Sequence, residues 1–212
     1  MVKNTWLLVA AGVSFALFPV LRPWTDKTLV AAGMVEAFAS PWWLVAHGLG
    51  AAGFALLAGA LAFGPIGRRG PAWPAGVGAA LVLPYFGLES LGLHGLASSA
   101  PVATVPALSD AMRFSPVAMA TFGLGLLAWV VAGVALAVGH ARAGRRGDPA
   151  RWAGVPLGVG LVTYLPQFSL APQGRIAHGV LMLAGAVVLA WLTRGEPSRE
   201  VVSPQAVVEV GR

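Results

Sequence analysis

The chain contains no cysteine. That excludes disulfides, thiolate metal sites, iron–sulfur clusters and a thiol nucleophile. Charge is scarce as well. Only 10% of residues are Asp, Glu, Lys or Arg, against about 25% in a soluble domain. A chain that is 57% hydrophobic with so little charge requires lipid as its solvent. A Walker A loop, a His-Glu-x-x-His pair, a Gly-x-Ser-x-Gly elbow and an Asp-rich diphosphate motif are all missing. Nucleotide and metal–diphosphate chemistry therefore have no signature here. The net charge of +6 is no nucleic-acid signal, because the Lys and Arg residues stand in short clusters between apolar runs. Topology determinants are distributed in that way.

What is present is apolar sequence and small residues, with 28 Gly among 212 positions. Small residues let helix backbones approach closely in a bilayer. Six apolar segments stand out: Thr5–Leu21, Trp42–Phe63, Trp73–Leu96, Pro116–Gly139, Trp152–Phe168 and Arg175–Leu192. Each is near the roughly 20 residues that span a bilayer core. The expected fold is all-α, a single transmembrane bundle of about six helices over residues 1–193. A disordered polar tail is expected over 194–212. The first segment resembles a signal peptide, but the small-x-small site Ala37-Phe38-Ala39 lies far beyond its apolar run. It is expected to be a retained helix. A faint internal echo, Gly76-Val77-Gly78 before Pro84 and Gly158-Val159-Gly160 before Pro166, is ascribed to chance in a Gly-rich chain.

Counting cations orients the bundle. One set of loops holds Lys3, Arg68, Arg69, Arg142, Arg145, Arg146, Arg151, Arg194, Arg199 and Arg212, and the other holds Arg22, Lys27, Arg113 and Arg175. The richer side is expected to be cytoplasmic. Both termini are then expected on the cytoplasmic side of a bacterial inner membrane. On this topology the ionisable residues gather toward the outer leaflet, with His140 the only histidine on the inner side.

Glu89 is the sharpest feature, because an ionisable residue within a membrane segment is a functional-site hypothesis by default. Burial in low dielectric favours its neutral form, able to give a proton. The alternative is an ion pair with Arg113, Arg175 or a histidine that pins helices together. Tyr85 and Phe86 precede it on the same helical face. His47 and His178 are each followed by Gly and are expected at similar depth, with His94 at the end of the Glu89 helix. Asp110 and Arg113 are spaced as neighbours on a turn. Glu36 lies in an amphipathic stretch, Thr28–Ser40, suited to the interface. The aromatics Trp24, Trp42, Trp43, Tyr85, Phe86, Phe114 and Phe168 serve either as interfacial anchors or as a lining that attracts positive charge.

The runs Glu36–Pro41, Leu83–His94 and Asp110–Phe114 resemble those of a family of small multi-pass membrane proteins from high-GC bacteria. That resemblance implies a helical bundle and no particular reaction. The general plan is similar to integral-membrane terpene cyclases, which use membrane-embedded carboxylic acids without metal. The Trp-Glu dipeptide of their fungal members is absent. This likeness implies a lipophilic isoprenoid substrate and acid-initiated cyclisation. Glu89 would be the proton donor, Asp110 or Glu36 a second acid, and His47 or His94 a proton acceptor. Substrate contacts would come from the aromatics with Arg113, Arg175 and His178. The expected partners are a lipophilic small molecule and membrane lipids, with no nucleic acid, metal or cofactor, and a homo-oligomer is compatible with the reading. Two alternatives stay open. One is a b-type haem or quinone protein using His47, His178 or His94. The other is a non-catalytic transporter or accessory bundle.

Overall fold

The computed structural model describes residues 5–28, 30–63 and 70–194. The expected tail lies outside the described residues apart from Arg194. Among the described residues there are nine α-helices and no strand. They are α1 (Thr5–Leu21), α2 (Ala31–Ala39), α3 (Pro41–Phe63), α4 (Ala72–Gly87), α5 (Leu93–Ser99), α6 (Val105–Arg113), α7 (Pro116–Ala143), α8 (Val155–Val162) and α9 (Pro172–Leu192). A single π turn, Leu88–Gly92, joins α4 to α5 in one continuous rod. Four rods are long and apolar enough to cross a membrane: Pro41–Phe63, Ala72–Ser99, Pro116–Ala143 and Pro172–Leu192. Large apolar side chains such as Leu124, Leu127, Val131, Val180 and Val187 stand exposed along their outer faces. A soluble monomer does not present so continuous an apolar belt. This is the surface of a membrane protein.

The helices close into a ring. α1 packs on α3 and α9, α3 on α4, α4 on α7, α7 on α8, and α8 on α9. Apolar side chains gain nothing by leaving lipid for protein, so close backbone packing must hold such a ring. Gly133 of α7 and Gly158 of α8 supply it reciprocally. A Cβ built on either would stand 2.8 or 2.7 Å from the other's carbonyl oxygen. The centre of the ring is filled by aromatics. Phe54 meets Phe15 at 5.0 Å, Trp129 at 5.2 Å and Tyr164 at 4.8 Å between ring centroids.

Local chemistry sets the helix starts. Pro116 and Pro172 open α7 and α9, where a missing N–H is harmless. The Ser115 hydroxyl caps α7 by accepting from the Ala118 amide at 3.3 Å. The segment expected as a span over Trp152–Phe168 is broken up. A 3₁₀ turn precedes α8, α8 has only eight residues, and a second 3₁₀ turn follows over Pro166–Ser169. Pro166 has no N–H to continue the helical hydrogen bonding of α8.

One end of the ring carries a cap. The 3₁₀ turn Thr25–Thr28 packs on α2, and α2 packs on α3, α5 and α6. The cap has a small core of its own, in which Phe38, Trp43 and Leu93 are fully buried.

Candidate functional site

Between the cap and the aromatic centre lies a cavity of about 300 Å³. That is the lower end of the size range for small-molecule sites. Every helix of the ring except α8 lines it, and the turn after α8 adds Leu165 and Phe168. α1 brings Phe18, with Arg22 just beyond its end. α3 brings His47, and α4 with the π turn brings Tyr85, Phe86 and Glu89. α6 brings Arg113, α7 brings Phe122 and Gly123, and α9 brings Arg175.

Glu89 is buried in the π turn, a distortion that recurs at functional sites. Its carboxylate is gripped by Arg113 in a two-point fork, Nε to Oε1 at 2.9 Å and Nη2 to Oε2 at 2.8 Å. That is the geometry of a charge-assisted pair with an ionised carboxylate. It differs from the neutral acid expected from burial. The guanidinium supplies the counter-charge, and its helix is distant in sequence. The Glu89 main-chain carbonyl accepts from Trp43 Nε1 at 2.5 Å, which ties α3 to the π turn.

His47 faces the same carboxylate, with Nε2 3.7 Å from Glu89 Oε2. Its Nδ1 lies 2.8 Å from the Trp43 carbonyl. A carbonyl only accepts, so Nδ1 carries a proton. In the neutral ring Nε2 is then the basic nitrogen, turned toward the cavity wall. Tyr85 lies against Glu89 and stacks on Phe122 at 4.2 Å between centroids.

A second charged group extends the network. Asp26 Oδ2 accepts from Arg22 Nη2 at 2.7 Å, with Lys27 Nζ at 3.8 Å and Arg113 Nη2 at 4.0 Å. Arg22 lies over Trp24 at 4.4 Å and Trp43 at 4.7 Å, and Arg175 stands 5.4 Å from the Trp24 ring and 5.5 Å from the Phe168 ring. Such contacts hold cations where water is thin. Burial works against the Arg113 charge, but the Glu89 carboxylate outweighs it and holds the guanidinium above its usual range. Burial pulls the Lys27 ammonium below its usual range, more than the adjacent Asp26 restores.

The structure unites some of the expected residues and separates others. Glu89, His47, Arg113, Arg175, Tyr85, Phe86, Phe114 and Phe168 line the cavity. Trp43 and Trp24 are absent from its lining but hold residues that form it: Trp43 Nε1 donates to the Glu89 carbonyl, and Arg22 lies over Trp24. His178 does not enter it. Its Nε2 contacts the Gly160 carbonyl at 2.9 Å beside a separate void of about 20 Å³. His94 turns to the cap and contacts the Phe38 carbonyl at 2.8 Å. Glu36 and Asp110 are exposed, and Arg113 turns to Glu89 in place of Asp110. Trp42 is 55% exposed and points outward.

The three histidines of the haem alternative therefore do not share one volume. Among the described residues no group of three or more His, Cys, Asp or Glu could hold a metal. Sequence reasoning missed Arg22, Asp26 and Lys27 as site residues. The available signal was the i, i+4 spacing of Arg22 and Asp26 around Trp24. No family model matches this sequence, and no curated protein or solved structure matches it. Fold and site together define a helical membrane bundle with a cation-rich, aromatic-walled cavity at one end.

Proposed function

We propose that this chain is a membrane-embedded enzyme that moves a proton on a lipophilic substrate, with His47 and Glu89 as its proton-transfer pair. The observation that carries the reading is His47 Nε2, 3.7 Å from an ion-paired carboxylate on the wall of an aromatic cavity. A proton taken up at Nε2 would be stabilised by Glu89, as carboxylates stabilise imidazolium in other proton-transfer sites. Arg113 fixes the carboxylate, and the Trp43 carbonyl fixes the ring. For an isoprenoid substrate, imidazolium would deliver the proton at the start of cyclisation or double-bond migration. The same nitrogen would take a proton back at the end. The reaction is then an isomerisation and needs no co-reactant. Glu89 becomes the counter-ion to the donor and not the donor itself. Phe86, Phe122 and Tyr85 would shield the cationic intermediate.

The same proposal gives the chain six passes of the bacterial cytoplasmic membrane, both termini inside and the capped end in the outer leaflet. α1 would reach roughly 25 Å at the usual helical rise. The α8 region would cross with the help of its flanking turns. The cation distribution supports this orientation.

The test uses membranes containing the wild type, His47→Gln or Glu89→Gln, given prenylated substrates in deuterated water. A product of unchanged composition carrying one deuterium is expected from the wild type. His47→Gln should lower its yield by about a hundredfold or more, the usual range for losing a general acid–base group. Equal yields from wild type and His47→Gln, with both proteins folded, would overturn the reading.

A further inference from the structure

The cavity holds more positive charge than its carboxylates balance. Arg22, Lys27, Arg113 and Arg175 face it, against Asp26 and Glu89. Arg113 is matched by Glu89 and Arg22 by Asp26. Among the described residues Arg175 forms no carboxylate ion pair; it donates to the main-chain carbonyls of Phe168 and Leu170 and lies over aromatic faces, feeling Asp26 only at longer range. Arg22 and Arg175 share Trp24 as a cation–π partner, so two guanidinium groups are held near each other. Like charges in a partly dry site repel strongly, and an oxyanion between them relieves that repulsion.

The opposite wall is apolar and open to the side. Phe114, Met119 and Leu165 line the cavity yet are 64%, 41% and 46% exposed. The mouth therefore lies between the start of α7 and the turn after α8, on the apolar surface of the bundle. Gly123 of α7 sits at this mouth, and a Cβ there would meet nothing within 4 Å.

We infer that the cavity takes a single-chain amphiphile with an oxyanion head. The head sits at Lys27, Arg22 and Arg175, and the tail leaves past Phe122 and Leu165 into the bilayer. The inference rests on the reading of this cavity as a lipophilic-substrate site and names the chemistry of that substrate. Entry is lateral, from the lipid, so the ligand need not cross water.

The test measures binding by native mass spectrometry in phosphatidylcholine nanodiscs, with dodecyl phosphate, dodecyltrimethylammonium and inorganic phosphate as probes. Dodecyl phosphate should bind at least roughly tenfold more tightly than either of the others, because charge selects the head and the buried chain adds affinity. Lys27→Gln should weaken it roughly fivefold or more. The Lys27 side chain is 52% exposed, so this variant keeps its fold even if Arg175→Gln does not. Gly123→Leu should weaken dodecyl phosphate and leave inorganic phosphate unchanged. Equal binding of anionic and cationic chains, or no response to Lys27→Gln, overturns the anion site. Inorganic phosphate binding as tightly as dodecyl phosphate overturns the lateral chain path. Loss of turnover in His47→Gln without any dodecyl phosphate binding in the wild type sinks this inference alone.

Discussion

The two halves of the ring are built from the same rods by different physics. Away from the cap, the ring is held by shape. Gly133 and Gly158 let α7 and α8 touch through their backbones, and Phe54, Trp129 and Tyr164 fill the centre. Toward the cap, the rods spread around a cavity, and the network Arg22–Asp26–Arg113–Glu89–His47 spans it. Shape complementarity is cheap in lipid and chemically silent. Buried charge is costly unless every member has a partner. The capped half carries such a network among the described residues, and the proposed chemistry is placed there.

The largest test of that division is Arg113→Ala. It leaves the Glu89 carboxylate buried without its fork, and the expected loss is about 3–5 kcal/mol, read as a fall in melting temperature in detergent. The double variant Arg113→Met, Glu89→Leu should recover much of this, since no unpaired charge remains. If the single and double variants fall equally, the capped end is held by shape as well, and the contrast fails.

Gly158→Leu attacks the other half. Its Cβ would stand 2.7 Å from the Gly133 carbonyl, and overpacking of this kind typically costs about 1–3 kcal/mol. Amphiphile binding at the far end should survive wherever the protein still folds. Trp43→Phe removes the hydrogen bond from the indole to the Glu89 carbonyl, for an expected loss of about 1 kcal/mol. Smallest of all are Glu36→Gln and Asp110→Asn. Both side chains are exposed, so each should change stability by less than about 0.5 kcal/mol. A large loss in either would move the chemistry out of the cavity and onto the cap surface.

Much of this was legible in the sequence. Hydropathy alone locates the rods, because a lipid-facing helix is apolar all round. α1 begins and ends where the apolar run does. The pairing of Glu89 with Arg113 was one of two readings open at the level of residues, since an intramembrane acid needs either a proton or a cation. Choosing between them needed the cap, which brings α6 against the π turn. The role of Asp26 was not legible. It sits in a short polar connection where a charge ordinarily faces water, and only the closure of the ring buries it. The break-up of the α8 segment was hidden because its composition is as apolar as that of its neighbours. His178 was misplaced for a related reason: helical depth can be counted along a sequence, but rotation about the axis is set by packing.

The π turn has a further consequence. A π turn is an α-helix with one residue too many, so it shifts the phase of everything after it. α4 keeps one phase, which aims Tyr85 and Phe86 into the cavity. α5 keeps another, which aims His94 at the Phe38 carbonyl in the cap. Deleting one residue between Leu88 and Gly92 would restore a single phase and a more regular rod. It would also rotate the cap against the cavity, so this helix has kept a flaw in its hydrogen bonding in order to serve two addresses at once.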